Sequence, residues 1–157
     1  MVNKYPFEEN TYIDANFLIA YFVPNHKHAK KAGILFAKLL INKNKFNLTA
    51  LTLDECFMGI VRELREDNDD RSAPPAKFFD NLNQVLLTII NNKKFVIRQF
   101  EKDINNGCIN ALQNIKSYVL KPRDAFHLSY MQDLGIKYLI SFDGNFEKVR
   151  TITVINS

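Results

Sequence analysis

Four acidic residues stand out because each lies within or beside an apolar stretch. Asp14 is in YIDANFLIAYF, Glu55 in LTLDECFMGIV, Asp124 in KPRDAFHLSYMQDLGI and Asp143 in YLISFDGNFEKV. Ionised groups are rarely buried without a partner. Carboxylates brought together bind hard divalent cations such as Mg²⁺ or Mn²⁺. Such ions activate water and offset the charge that develops when a phosphodiester is displaced in line.

Each carboxylate also has a purely structural interpretation. Asp14 lies between a strand-like and a helical run, which is the position of an N-cap. Thr52 and Glu55 match a capping box, and Asp124 falls in a first helical turn, where an acid complements the helix dipole. Asp143 precedes a glycine in a turn-like sequence. Taken singly, each residue favours this interpretation, so the case for chemistry depends on where the fold places them.

The elements that would position these residues alternate between short strands and longer helices. Predicted strands cover residues 11–13, 46–49, 95–99, 138–142 and 152–155. Apolar residues at helical spacing predict helices between the strands, the last of them beginning at Pro122 and ending before Gly135. This alternation predicts the α/β class, with a central parallel sheet of about five strands flanked by helices.

A parallel sheet changes the interpretation of the four acids. Its strands end at one common edge, the following helices begin near that edge, and ligands usually bind there. Asp14, Glu55, Asp124 and Asp143 are all predicted at this edge. Two carboxylates about 5 Å apart repel by roughly 3 kcal/mol at an effective dielectric of about 20, so the cluster predicts a divalent cation. A set of carboxylates with no nearby Cys or His argues against zinc.

In this order, the four motifs resemble the acidic motifs of the PIN-domain family, from about Tyr12 to Ile155. The resemblance implies a PIN-like three-layer fold and a nuclease that uses Mg²⁺ or Mn²⁺ to cleave RNA. Asp14, Glu55, Asp124 and Asp143 match the family's acidic quartet, which implies catalytic and metal-binding roles. The most similar subgroup is the VapC-type ribonuclease toxins of VapBC toxin–antitoxin systems, which implies a homodimer and an antitoxin partner.

The same resemblance bears on residues beside the quartet. Asn16 falls where the family often has a small hydroxyl or amide residue, and Ser141 where it usually has Thr or Ser. Asn145 departs from the pattern, because many members carry another acid there, and this weakens the case for a second metal ion. Arg123 has two equally supported roles: it holds a substrate phosphate, or it balances the neighbouring acids.

The histidines admit further interpretations. His127 is a helical neighbour of Asp124, and a structural or supporting role is favoured over that of a general base. His26 and His28 flank Lys27 near a helix start, where RNA contact and simple solvation explain them equally well.

The composition sets broad limits. The 157 residues, 46% of them hydrophobic, fit one domain over residues 1–157, with residues 1–10 as an N-terminal extension and residues 66–77 as an exposed loop. No secretory signal or membrane span is recognised, so a cytoplasmic protein is expected. The net charge of +4 permits a polyanionic partner such as RNA without requiring one.

Cys56 and Cys108 are expected to be reduced core thiols on helices. The clearest apolar helical face is Ile104, Cys108, Ala111, Leu112 and Ile115.

Two other functions compete with a nuclease. A non-catalytic PIN-like module that binds RNA or protein is the first, although the intact quartet argues against it. An aspartyl-phosphate enzyme is the second, but its pattern needs an acid two residues after the first, where this chain has Asn16. A receiver domain needs an acidic pair near the first strand, whereas Glu8 and Glu9 precede that strand.

Overall fold

The computed structural model describes residues 10–41 and 44–157. Most of the predicted N-terminal extension therefore lies outside the described residues. The described part forms five strands: β1 (Thr11–Ile13), β2 (Phe46–Thr49), β3 (Phe95–Arg98), β4 (Tyr138–Ile140) and β5 (Thr153–Ile155). Its six α-helices are α1 (Ala15–Phe22), α2 (Ala29–Leu40), α3 (Ala50–Asp67), α4 (Phe79–Asn91), α5 (Ile104–Tyr118) and α6 (Pro122–Asp133). Two 3-10 helices cover Pro75–Phe78 and Gly144–Lys148.

All strand pairs are parallel, and the order across the sheet is β3-β2-β1-β4-β5. This confirms the predicted α/β class and the five-stranded parallel sheet flanked by helices. The chain direction across the sheet reverses between β1 and β4, so the switch point of the topology lies at their carboxyl ends, where open α/β sheets bind ligands. Asp14 follows β1 directly and Ser141 follows β4 directly.

Three strands are shorter than predicted. β3 ends at Arg98, β4 ends at Ile140, and β5 begins at Thr153. The early end of β4 has a local cause, because the next backbone groups bond to side chains instead of a neighbouring strand. The Phe142 N–H donates to Asn16 Oδ1 at 3.0 Å, and the Asp143 N–H donates to Ser141 Oγ at 2.9 Å.

The central strand β1 is buried on both faces, as its apolar sequence predicts for a parallel sheet. Tyr12 and Ile13 are fully buried. The main core cluster joins Ile13 to Phe17 and Leu18 of α1 and to Phe46 of β2. Burying such a side chain contributes about 1.5–3 kcal/mol, so the strand that ends just before Asp14 is held firmly in place.

The start of α3 differs from the capping pattern expected at Thr52 and Glu55. Thr49 is the N-cap, its Oγ1 accepts from the Thr52 N–H, and Thr52 Oγ1 accepts from the Thr49 N–H. The capping box is therefore one turn earlier than the sequence predicted, since β2 ends at Thr49. As a result, the Glu55 carboxylate does not serve as the capping side chain.

The apolar face predicted on α5 packs against the core only in part, since Ile115 is half-buried against the cluster of Leu120, Ala125, Leu128 and Val149. Ile104 is 63% exposed, Leu112 is 69% exposed and Cys108 is exposed, whereas Ala111 is buried. Small and polar residues also contribute to the contact with α6: Gly107 and Asn114 are buried, and Ser129 Oγ donates to the Gly107 carbonyl at 2.7 Å. The prediction of a buried thiol was wrong for Cys108 and confirmed for Cys56, whose burial raises the pKa of its thiol to about 12.

The segment at residues 66–77 is partly structured. α3 continues to Asp67, and the 3-10 helix begins at Pro75. Ala73 is 3% exposed, and its carbonyl accepts from Arg65 Nε at 2.8 Å. The segment is thus not exposed throughout. Within residues 10–41 and 44–157, no helix is both long enough and apolar enough to cross a bilayer.

Candidate active site

Asp14 connects the end of β1 to the start of α1. Its Oδ1 accepts from the Ala15 N–H at 2.7 Å, so the N-cap interpretation is correct. Its Oδ2 accepts from Asn16 Nδ2 at 2.7 Å and from Ser141 Oγ at 2.8 Å. Burial raises the pKa of Asp14, and the Glu55 charge adds to this effect, while the charge of His127 and the Ser141 hydrogen bond oppose it. The carboxylate is held in one orientation at the switch point of the sheet.

Asn16 and Ser141 join the ends of β1 and β4. Asn16 Nδ2 donates to Ser141 Oγ at 3.0 Å, while Asn16 Oδ1 accepts from the Phe142 N–H. Ser141 is fully buried. Both residues contact Asp14, which is the supporting position that the sequence predicted for them.

Glu55, in the second turn of α3, is held by two residues of α6. His127 Nε2 lies 2.6 Å from Glu55 Oε2, and Arg123 Nε lies 3.6 Å from Glu55 Oε1. The Arg123 side chain is 60% exposed, whereas that of Glu55 is 17% exposed. Arg123 therefore balances an acid of the quartet while keeping much of its guanidinium accessible to solvent.

His127 belongs to a buried polar network beneath the site. Its Nδ1 lies 2.9 Å from the Tyr12 hydroxyl, which also contacts Thr49 Oγ1 at 3.1 Å and Thr52 Oγ1 at 3.3 Å. Burial raises the pKa of Tyr12, so the phenol stays neutral. The network links β1, the start of α3 and α6, and it fixes the ring that holds Glu55.

Burial alone lowers the pKa of His127, but the hydrogen bond to Glu55 and the charges of Asp14, Glu55 and Asp124 outweigh burial and raise it. One ligand atom from each of Asp14, Glu55 and His127 lies within 4.8 Å of the others. The expectation of no nearby histidine was therefore wrong. Both ring nitrogens nevertheless have protein partners, so His127 cannot ligate an ion without breaking one of these contacts. The carboxylates are the available donors.

Asp124 lies in the first turn of α6, after Pro122. Burial, with the charges of Asp143 and Asp14, raises the pKa of Asp124 to about 6, while the charges of His127 and Lys121 act against this rise. Its Oδ2 is buried, and no hydrogen-bond donor among the described residues reaches it. A buried acceptor without a partner costs about 1–3 kcal/mol, and more when the group is charged. A bound cation would satisfy this oxygen and relieve the repulsion between the acids.

Asp143 is the N-cap of the 3-10 helix Gly144–Lys148. Its Oδ1 accepts from the Asn145 N–H at 2.9 Å, and its Oδ2 accepts from Asn145 Nδ2 at 3.1 Å. Both oxygens thus have local donors, as the turn interpretation predicted. Asp143 still acts electrostatically on Asp124, and Asn145 contributes an amide where another acid would add charge.

The structure brings the four acids to one edge of the sheet, but they do not all belong to the same close group. Asp14 and Glu55 share the 4.8 Å group, whereas Asp124 is coupled through charge to Asp14 of that group and to Asp143. Tyr12 and Thr49 were missed as parts of the site. In the sequence, Tyr12 resembles an apolar strand residue. A buried tyrosine, however, needs a hydrogen-bond partner for its hydroxyl, and its place next to a predicted acidic cluster was the feature that could have identified it.

Comparison with known proteins assigns the chain to a family. The PIN domain model matches residues 11–152, so the chain belongs to the PIN domain family. No curated protein sequence matches it. Similar solved structures include VapC20 of Mycobacterium tuberculosis, described as a Sarcin-Ricin loop cleaving toxin, with a TM-score of 0.67 and 14% identity, covering 94% of this chain and 99% of that one.

Two further structures have the same fold. VapBC2 of Rickettsia felis, bound to a DNA fragment from its promoter, has a TM-score of 0.60 and 13% identity, with 94% of this chain and 98% of that chain covered. A toxin–antitoxin complex from Klebsiella pneumoniae has a TM-score of 0.60 and 19% identity, with 91% and 95% covered. At these identities the similarity establishes the three-layer PIN fold.

Proposed function

We propose that this protein is a metal-dependent endoribonuclease that hydrolyses RNA phosphodiester bonds. The observation that carries the proposal is the buried Oδ2 of Asp124, which has no hydrogen-bond donor among residues 10–41 and 44–157 and is subject to the charges of Asp14 and Asp143. A cation stabilises a buried carboxylate next to other negative charges more than a neutral hydrogen-bond donor does. Membership of the PIN family and the similarity to a toxin that cleaves the sarcin–ricin loop favour RNA as the substrate.

Asp14, Glu55, Asp124 and Asp143 would hold Mg²⁺ or Mn²⁺, because these ions prefer oxygen ligands. When bound, such an ion lowers the pKa of a coordinated water and offsets negative charge on the phosphate. The chain's own residues perform the positioning. Asn16 and Ser141 fix the Asp14 carboxylate, and His127 fixes that of Glu55.

Glu55 is suited to orient the attacking water. One of its oxygens faces His127 and the other faces Arg123, so the carboxylate cannot rotate freely. Arg123 is exposed enough to contact a phosphate oxygen of the substrate while it remains near Glu55. In this proposal, Arg123 balances the charge of Glu55 at one step and contacts a substrate phosphate at another.

The test is cleavage of a mixed pool of RNAs by the purified protein with Mg²⁺, with Mn²⁺ and with EDTA. We expect cleavage with either ion and none with EDTA. Asp124→Asn should abolish cleavage while the circular dichroism spectrum is unchanged. Full cleavage by a folded double variant, Asp14→Asn with Asp124→Asn, would refute the mechanism.

The toxin role extends this proposal. Several proteins of the same fold are toxins or were solved as toxin–antitoxin complexes, which favours an antitoxin partner that silences this nuclease. A homodimer of single-domain chains is part of the same prediction. Light scattering on the purified chain would test the dimer, and growth arrest on expression of the wild-type chain but not of Asp124→Asn would test the toxin role.

A further inference from the structure

A cavity of about 300 Å³ opens beside the acidic cluster. Asn16 and Asp143 line it on the side of the candidate active site. Three consecutive residues of the α1–α2 connection, His26, Lys27 and His28, line it together with Phe142 and Gly144. A molecule in this cavity would lie against Asp143, one of the four acids proposed to hold the metal ion, and against Asn16, which fixes Asp14.

Aromatic rings lead from the core into this cavity. The Phe142 ring lies 5.6 Å from that of Phe17, which is fully buried, and 5.0 Å from that of His28. The His28 ring lies 5.6 Å from the His26 ring. Both histidines are half-buried, so part of each ring is accessible. Unpaired nucleobases stack on such rings, histidine included.

The surroundings of the two histidines suit a nucleobase. His26 Nδ1 accepts from the His28 N–H at 3.2 Å, which fixes the orientation of the His26 ring. Partial burial, with the charges of Lys27, His26 and Lys31, lowers the pKa of His28. The flat faces of these two rings suit the stacking of a base, and the lowered pKa of His28 makes its ring a weaker partner for a phosphate.

Positive charge lies next to these rings. Lys27 is exposed and lines the cavity, and Lys31 Nζ lies 5.6 Å from the centroid of the Phe142 ring. The carboxylates of the neighbouring site repel a polyanion, so a nucleic acid backbone that approaches them needs local cations. Lysine contacts with phosphates supply this attraction, which weakens with salt.

We propose that His26, Lys27 and His28, with Lys31 and Phe142, form a subsite for one unpaired nucleotide of single-stranded RNA adjacent to the scissile phosphate. The base packs against the histidine rings, and the backbone phosphate contacts the lysines. A base within a duplex is already stacked and paired, so it cannot enter. The inference deepens the proposed ribonuclease function and rests on it for the identity of the strand that is cut.

The test measures binding separately from cleavage. Fluorescence anisotropy in EDTA and low salt follows a labelled, mixed-sequence RNA of 12 nucleotides. We expect Lys27→Ala and Lys31→Ala each to weaken binding about tenfold and to reduce the salt slope by about one. Lys30→Ala is the matched control, because it removes the same charge from an exposed position on α2 that neither lines the cavity, as Lys27 does, nor has the contact of Lys31 with the Phe142 ring. It should change binding less than about twofold.

The histidine arm of the test separates stacking from charge. His28→Ala should weaken binding about fivefold or more, and His28→Phe should restore it, because phenylalanine retains a face on which a base stacks. His28 is the N-cap of α2 but makes no capping hydrogen bond with its side chain, so neither variant loses a cap. A duplex of the same sequence should bind more weakly than the single strand.

The outcomes distinguish this proposal from the nuclease proposal. Equal effects of Lys27→Ala and Lys30→Ala, no rescue by His28→Phe, or no preference for single strands would overturn the subsite. Cleavage with an unchanged KM in Lys27→Ala and His28→Ala would also overturn it and leave the nuclease intact. The expected binding pattern without metal-dependent cleavage would support the subsite and refute the nuclease.

Discussion

His127 Nε2 lies 2.6 Å from Glu55 Oε2, although 72 positions separate the two residues in the chain. The contact joins the second turn of α3 to α6 and places an imidazole between an acid of the quartet and the Tyr12 hydroxyl. The histidine is therefore a positioning residue for Glu55. Its role follows from the contacts on both sides of its ring.

We expect His127→Ala to lower both activity and stability. The change leaves the Tyr12 hydroxyl without its imidazole partner and frees Glu55 to rotate, so kcat should fall about 10- to 100-fold, the usual range for residues that orient metal ligands. Unfolding free energy should fall by about 1–3 kcal/mol because a buried polar partner is lost. Steady-state cleavage and urea denaturation measure the two effects.

Tyr12→Phe is the matched comparison for that variant. It removes the hydroxyl but retains the ring and the Glu55–His127 contact, so it should cost about 0.5–1.5 kcal/mol and only a few-fold in kcat. If Tyr12→Phe and His127→Ala had equal effects on kcat, the assignment of His127 as the residue that positions Glu55 would be wrong.

The contact also marks the limit of inference from sequence. The apolar strand around Asp14 and the helix after Pro122 predicted the common edge, because a parallel sheet brings its strand ends together whatever the side chains are. The partner of Glu55 could not be predicted in this way. Which side chain reaches which carboxylate depends on the rotation of α3 and α6 about their axes, and spacing along one helix does not determine the rotation of another.

α5 shows the opposite limit. Its apolar residues follow one helical face, and that pattern predicted the buried face. The packed face shares Ala111 with that prediction but also includes Gly107 and Asn114, whereas Ile104 and Leu112 are exposed. A Cβ at Gly107 would collide with the Phe100 ring, so close contact requires a small residue there. Hydrophobic periodicity finds a core face only when large side chains fill the contact.

In the metal-free protein, Asp124 should give a lower unfolding free energy than asparagine at the same position would. Its pKa of about 6 is higher than the ordinary 3.8, so ionisation of the folded protein costs free energy above pH 6. The full difference corresponds to about 3 kcal/mol, but the half-exposed group is screened by solvent. We expect Asp124→Asn to raise unfolding free energy by about 1 kcal/mol at pH 8, measured in EDTA.

The pH dependence of that gain has a definite sign. The folded protein binds the proton more tightly than the unfolded chain does, so the penalty is complete above pH 6 and fades as the pH falls towards 3.8. The advantage of Asp124→Asn should therefore be largest at pH 8 and small near pH 4.5. A gain that is independent of pH would indicate that the variant acts through packing instead of charge.

Addition of metal should reverse this order of stability. A ligand that binds only the folded state stabilises it by an amount that grows with its concentration, reaching about 2.7 kcal/mol at one hundred times Kd. We expect Mg²⁺ or Mn²⁺ to raise the Tm of the wild-type chain and to have little effect on Asp124→Asn. Thermal denaturation with and without each ion tests this, and an equal rise in both proteins would place the ion elsewhere.

The distance between α1 and α3 should be as critical as the acids themselves, because these helices carry Asn16 and Glu55. A Cβ added at Gly59 would collide with the Ile19 side chain of α1, whereas one added at Gly33 on α2 meets no atom within 4 Å. Gly59→Ala should thus cost about 1–3 kcal/mol through overpacking, and it should lower kcat because α3 must shift away from Asp14.

Gly33→Ala should stabilise the protein by about 0.5–1 kcal/mol, since alanine favours a helix interior. Denaturation of both variants beside cleavage assays separates the two effects, and unchanged activity in a destabilised Gly59→Ala would show that the site tolerates movement between the two helices.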